Sequence, residues 1–77
     1  MTRIDFSLDK PGRVELAVYD LAGRLVQKLV SAVMTAGDHF VTWNGTDHRG
    51  AAAAAGIYQY VLKMPQGSVS RSMTLLK

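Results

Sequence analysis

Cysteine is absent from the 77 residues, so neither a disulfide nor a thiolate metal site can hold the fold. The redox compartment therefore leaves no mark on the composition. Proline occurs twice, as Pro11 and Pro65, and each sits beside a glycine turn signal and not inside an apolar row. No apolar run approaches the roughly 20 residues that span a bilayer, and the start of the chain lacks the charged-then-apolar pattern of a secretory leader. Charge of one sign is also scarce. Nine Lys and Arg oppose six Asp and Glu for a formal charge of +3, and the cations from Arg3 to Lys77 never cluster. Nucleic-acid binding would need a basic stripe with stacking aromatics on one face, and none is present. What remains is 48% hydrophobic and 19% charged residues in a length that suits one domain, residues 1–77, whose folding rests on packing alone.

The dominant pattern has a period of two, the signature of strands with one buried face. Ile4, Phe6 and Leu8 alternate with Arg3, Asp5 and Ser7 before Pro11-Gly12 turns the chain. Val14, Leu16 and Val18 form a second inward row, interleaved with Arg13, Glu15, Ala17 and Tyr19. Asp20-Leu21-Ala22-Gly23 supplies a side-chain acceptor and a glycine where a type I turn needs them. Arg24 to Val30 is less regular, because Leu25, Val26, Leu29 and Val30 also fit a helical stripe. Its length of about two helical turns is too short to persist as a helix, so a strand is expected. Ser31 to Gly37 reads as a connection or as a short edge strand carrying Val33.

His39, Val41 and Trp43 then alternate with Asp38, Phe40 and Thr42, placing the largest side chain inside. Residues 44–56 form the long loop, with turn signals at Asn44-Gly45 and Arg49-Gly50 followed by five alanines, enough for one helical turn at most. Tyr58, Tyr60 and Leu62 make the clearest inward row, Pro65-Gln66-Gly67 reverses it, and Val69, Met73 and Leu75 face in on the last strand. Arg71 interrupts that row, which places it at a rim, a bulge or an edge. The outward rows leave Ala17, Tyr19, Val26, Phe40, Ile57, Val61 and Leu76 exposed. Six or seven short strands at this spacing predict an all-β, two-layer antiparallel sandwich.

Few residues offer chemistry. His39, His48 and the serines and aspartates lack the strained nucleophile turn that a catalytic triad would use, so no catalytic residue is assigned. His39 reads as a partly buried packing residue and His48 as loop surface. Asn44, Thr46, Asp47 and His48 gather oxygen and nitrogen donors, but a single carboxylate is too few for Ca²⁺, and turn chemistry by Asn44 and Asp47 is the preferred reading over a weak cation site. Asn44-Gly45-Thr46 also fits the glycosylation pattern, with the turn again preferred. No glycine-rich phosphate loop is present, and no cofactor is expected. Sugar binding is disfavoured, since the inward rows claim Trp43, Tyr58 and Tyr60.

Five segments taken together carry a resemblance: Arg3-Ile4-Asp5-Phe6-Ser7-Leu8, Val18-Tyr19-Asp20-Leu21-Ala22-Gly23-Arg24, Val41-Thr42-Trp43-Asn44-Gly45, Gly56-Ile57-Tyr58-Gln59-Tyr60 and Met73-Thr74-Leu75-Leu76-Lys77. In this order the chain resembles the C-terminal Ig-like sorting domains of type IX secretion substrates, themselves similar to the Ig-like domain of the flagellar hook-capping protein. The resemblance implies an Ig-like, fibronectin type III-like sandwich of about seven strands at the C-terminus of a larger secreted protein. It further implies a folded address read by secretion machinery at the outer cell surface.

By position, Gly56 and Tyr58 match the family's Gly-x-Tyr motif, Met73 to Lys77 match its terminal strand, and Gly23 with Trp43-Asn44-Gly45 match architectural turns, with Leu75 holding the last strand. The chain opens at Met1-Thr2-Arg3 without the Pro-Asn-Pro segment that precedes the first strand in that family, the pattern of an excised domain. The five alanines replace a more polar stretch. The expected recognition surface is the last two strands and their turn: Lys63, Gln66, Gly67, Ser68, Ser70, Ser72 and Lys77. The alternatives are a structural module that packs against an adjacent domain or its own copies, marked by a contiguous patch of Tyr19, Phe40 and Val61, and an accessory carbohydrate-binding module.

Overall fold

The computed structural model describes residues 2–76 and contains no helix among them. Six strands follow in order: β1 (Thr2–Leu8), β2 (Gly12–Tyr19), β3 (Leu25–Met34), β4 (Gly37–Trp43), β5 (Gly56–Met64) and β6 (Gly67–Leu75). They form two antiparallel sheets, β1-β4 and β3-β2-β5-β6, so the expected sandwich is present with six strands where about seven were expected. The difference lies at Ser31–Gly37. That segment is mostly strand, because β3 continues unbroken to Met34 by pairing with Gly12–Leu16, and only Thr35 and Ala36 remain to carry the chain to the other sheet.

The core lies between the layers. Ile4, Phe6 and Leu8 from β1 meet Val14, Leu16 and Leu62, while Val18, Trp43, Ala53, Tyr58 and Leu75 form a second cluster toward the loop 44–55. Trp43, Leu16, Val14 and Val18 are the largest fully buried side chains. Each buried aliphatic contributes on the order of 1.5–3 kcal/mol of hydrophobic stabilisation, which is how a chain of this size folds without cross-links. His39 stacks on Phe6 with ring centroids 5.6 Å apart, and its Nε2 donates to the Thr35 carbonyl at 2.8 Å, so it is the packing residue expected.

The irregular apolar pattern of β3 has a geometric cause. The β2–β3 register slips between Leu16 and Ala17 and again between Val18 and Tyr19, so Val30 and Lys28 face consecutive β2 residues, as do Gln27 and Leu25. A bulge places an extra residue in one strand. Here the extra residues are Leu29 and Val26, and both pack on the core. Val26, expected outside, is therefore half-buried.

The other departures from the outward rows are Tyr19 and Val61, which are half-buried, and Ala17, which is buried on the outer face of the sheet. Its position on the central strand, between Lys28 and Val61, lets the longer side chains of Tyr19, Lys28, Val61 and Lys63 wall it in. The alanine run forms no helical turn; Ala52 bridges Thr46, and Ala53 is buried with Trp43 and Tyr58.

The two layers are unequal. Strands lie about 4.8 Å apart, so two strands cover roughly half the width of four. β2 and β5 contribute buried residues to both clusters, whereas β6 contributes only to the second, through Leu75 with Met73 against it. On its inner row Leu75 is buried, Val69 and Met73 are half-buried, and Arg71 is exposed on an edge strand, one of the three positions (rim, bulge or edge) expected for it.

Candidate interaction surface

Both described ends of the chain lie at one end of the sandwich, since Thr2 pairs with Trp43 and Leu75 pairs with Gly56. Two turns with the same design stand there. In Asp20-Leu21-Ala22-Gly23-Arg24, Oδ1 of Asp20 accepts the N–H groups of Ala22 and Arg24, both at 2.9 Å. The Gly23 N–H bonds the Asp20 carbonyl, and the Asp20 N–H bonds the Arg24 carbonyl, both at 3.0 Å. In Asp47-His48-Arg49-Gly50-Ala51, Oδ1 of Asp47 accepts from Arg49 at 2.9 Å and Ala51 at 3.0 Å. Gly50 donates to the Asp47 carbonyl at 3.0 Å, and the Asp47 N–H bonds Ala51 at 2.8 Å. The spacing Asp-x-x-Gly carries this chemistry, because the aspartate caps the turn and the glycine takes the positive φ that closes it, 82° at Gly23.

Both carboxyls are held below their ordinary value by these bonds. The Arg24 N–H is the largest cause at Asp20, acting against a smaller opposing effect of burial and aided by the Arg24 charge. At Asp47 the Arg49 N–H leads, burial again opposes, and the Ala51 N–H assists. The Asp20 carboxylate also meets the Arg24 guanidinium at 3.1 Å.

The loop that carries the second turn is pinned on several sides. The Trp43 indole donates to the Thr46 carbonyl at 2.9 Å, the Gln27 amide donates to the Asp47 carbonyl at 2.8 Å, and the Tyr58 hydroxyl donates to the Ala54 carbonyl at 2.6 Å. The His48 N–H bonds the Val26 carbonyl at 2.7 Å, so the loop occupies part of the open edge of β3. Asn44 Oδ1 accepts from the Thr46 hydroxyl at 2.7 Å and from its N–H at 3.2 Å. Asn44 and Asp47 thus each use Oδ1 to cap backbone and hydroxyl donors within the loop, the turn chemistry expected of them, and among the described residues no group of three or more metal-ligating side chains converges. Between the two turns runs an open groove of about 430 Å³, with Arg24, Val26, His48, Arg49, Ala53 and Tyr58 in its walls.

The structure disperses the predicted recognition residues along the β5–β6 hairpin. Lys63, Gln66, Gly67, Ser68, Ser70 and Ser72 are all exposed, and Lys77 lies outside the described residues. Ser68, Ser70 and Ser72 share a row on the outer sheet face, with Lys63 paired to Ser68. Gln66 instead reaches the other sheet, where its amide donates to the Ser7 carbonyl at 2.7 Å.

The predicted architectural residues gather at the loop end. Trp43, Tyr58 and Leu75 share one cluster with Met73 against it, Gly23 closes the first turn, and Gly56 opens β5. Gly45 sits at φ 80° with Leu75 against it. Sequence reasoning missed Gln27, whose bond to the loop becomes visible only once the bulge in β3 turns it there, and missed that Asp20 and Asp47 form a pair, although the repeated Asp-x-x-Gly spacing was available.

The apolar surface is not one patch across Tyr19, Phe40 and Val61. Tyr19 and Val61 stand on the outer face of the four-stranded sheet, whereas Phe40 stands on β4 of the other layer, 58% exposed and with the Arg3 guanidinium 4.1 Å from its ring centre. Of the large exposed apolar side chains, Leu21 at 72%, Ile57 at 53% and Leu76 at 82% lie at the loop end with Leu25 beside Tyr19, whereas Val33 at 74% stands at the far end of β3, paired with Arg13. Leu21 and Ile57 line the same shallow hollow with Ala22 and Ala55.

A family profile described as the FlgD Ig-like domain matches residues 2–68, which takes in β1 through β5 and the first residues of β6. No curated protein and no solved structure gives a significant match.

Proposed function

Because this chain belongs to the FlgD Ig-like domain family, we propose that it is a structural, non-catalytic Ig-like module that packs against an adjacent domain, in an extracellular assembly, through its loop end. The observation that carries the reading is the exposed apolar group of Leu21, Leu25, Ile57 and Leu76 at the end where Thr2 and Leu75 also lie. Contiguous exposed apolar surface marks a partner site, and a domain tethered at either end of the chain would meet this surface at high effective concentration. The pinned loop supplies a rigid frame for it.

Amide hydrogen exchange tests the reading by comparing the isolated chain with the chain inside its natural polypeptide. Protection gained at Leu21–Leu25 and Ile57 in the longer protein, and lost in the Leu21→Asp, Ile57→Asp double variant, is the expected result. Identical exchange in both settings overturns it.

A role as a type IX sorting signal is the second reading. The exposed outer row of Ser68, Ser70 and Ser72 beside Lys63 favours it, although the family match ends at Ser68 and does not extend to the terminal strand. Replacing that row in a secreted parent protein should block surface delivery while leaving the parent's own activity intact; unchanged delivery rejects the reading.

A further inference from the structure

The two outward faces of the sandwich carry opposite charge. On the two-stranded face Asp5 lies opposite Phe40, with Arg3 and Asp38 two residues along the same strands, so the four side chains stand together. Arg3 pairs with Asp5 at 2.9 Å and lays its guanidinium 4.1 Å from the Phe40 ring centre, which leaves Asp38 as the surplus charge. On the four-stranded face Arg13 and Glu15 form a pair at 3.7 Å, and Lys28 and Lys63 are the surplus, since neither makes an ion pair among the described residues. Those two lysines rim a hollow of about 150 Å³ over the buried Ala17, with Tyr19 and Val61 also in its walls. One face therefore presents an exposed aromatic ring beside acids, and the other an apolar hollow between bases.

We propose that these faces meet between copies of this chain, the two-stranded face of one on the four-stranded face of the next, with Phe40 entering the hollow over Ala17 and Asp5 and Asp38 facing Lys28 and Lys63. Tyr19, Val61 and Phe40 stand on opposite sides of one molecule, and this stacking joins them across two. The hollow lies along β2, between β3 and β5, so the narrower face comes down on the middle of the wider sheet. Opposite potentials select which faces meet and disfavour contact of like on like. The contact is heterologous: each copy offers a different face to either neighbour, and the stack continues past two. A face two strands wide buries less than a standard interface, so free copies associate weakly, and salt weakens them further. Neither Leu21 nor Ile57 takes part, and the inference stands whether or not the loop end packs against a domain.

The test is sedimentation equilibrium of the chain up to millimolar concentration, with amide chemical shifts as the map. The average mass should rise past that of a dimer, and shifts should gather at Asp38, Phe40, Ala17 and Lys28 and fade at high salt. Phe40→Ser, at an exposed side chain, should weaken association roughly tenfold or more. The Lys28→Glu, Lys63→Glu variant and the Asp5→Lys, Asp38→Lys variant should each stay monomeric alone and stack again when mixed, because every contact then joins an acidic face to a basic one. Arg49→Glu with Arg71→Glu changes the net charge as much as the lysine pair does but lies off both faces, and should stack as the native chain does. Retained Trp43 fluorescence checks each fold. A native chain that stays monomeric at millimolar concentration or stops at a dimer, equal loss in the Arg49 and Arg71 variant, or shifts confined to the loop end would overturn the proposal.

Discussion

The Tyr58 ring stands edge-on to the Trp43 indole, with centroids 5.2 Å apart and planes inclined at 71°, and the polar atom of each ring holds a different carbonyl of the same loop. Trp43 secures the near side of the loop at Thr46 and Tyr58 secures the far side at Ala54. The pair is therefore both the centre of one core cluster and the anchor of the surface above it.

These two contributions can be separated. Tyr58→Phe keeps the edge-to-face contact and removes only the 2.6 Å bond, so urea unfolding should show a loss of about 1 kcal/mol with accelerated exchange in residues 51–55. Trp43→Ala removes the largest buried side chain and should cost about 3–5 kcal/mol, most of the stability of so small a domain.

Acid should loosen the loop end first. Asp20 and Asp47 titrate below 3.8 in the folded chain and near 3.8 when unfolded, so their contribution is complete above that value and lost as pH falls through the lower, folded values. Urea midpoints measured between pH 2 and 6 should be level at the upper end and decline below about pH 4. In the Asp20→Asn, Asp47→Asn double variant the amide oxygen can still accept both N–H bonds, and this part of the decline should disappear.

Two glycines in similar conformations should respond differently to alanine. Gly23 and Gly45 have φ of 82° and 80°, and an alanine at either place meets the left-handed penalty of about 1–2 kcal/mol. A Cβ at Gly23 enters open space, whereas one at Gly45 would stand 3.1 Å from the Leu75 Cδ1. Gly45→Ala should therefore be the more destabilising in thermal unfolding, and Leu75→Ala made in the same chain should relieve part of the difference.

Alternation in the sequence was enough to place Ile4, Phe6, Leu8, Val14, Leu16, Val18 and Trp43 inside and to set the layered architecture. It was insufficient where pairing departs from a period of two. The bulges of β3 turn Leu29 and Val26 inward, and the slip is fixed by how β3 meets β2, which no local pattern encodes. Ala17 follows the alternation correctly and is still buried, because its neighbours on adjacent strands are longer than it is. The loop end was partly legible: the turn chemistry of Asn44 and Asp47 follows from residue type, but the grouping of Leu21, Leu25 and Ile57 depends on strands far apart in sequence arriving at one place.

Because Thr2 and Leu75 lie at the same end of the sandwich on edge strands of different sheets, tension applied across the two ends would unzip β1 from β4 and β6 from β5 one rung at a time instead of shearing whole strands. Such a module yields at low force. Set between mechanically loaded parts, it would behave as an extensible link and not as a rigid strut.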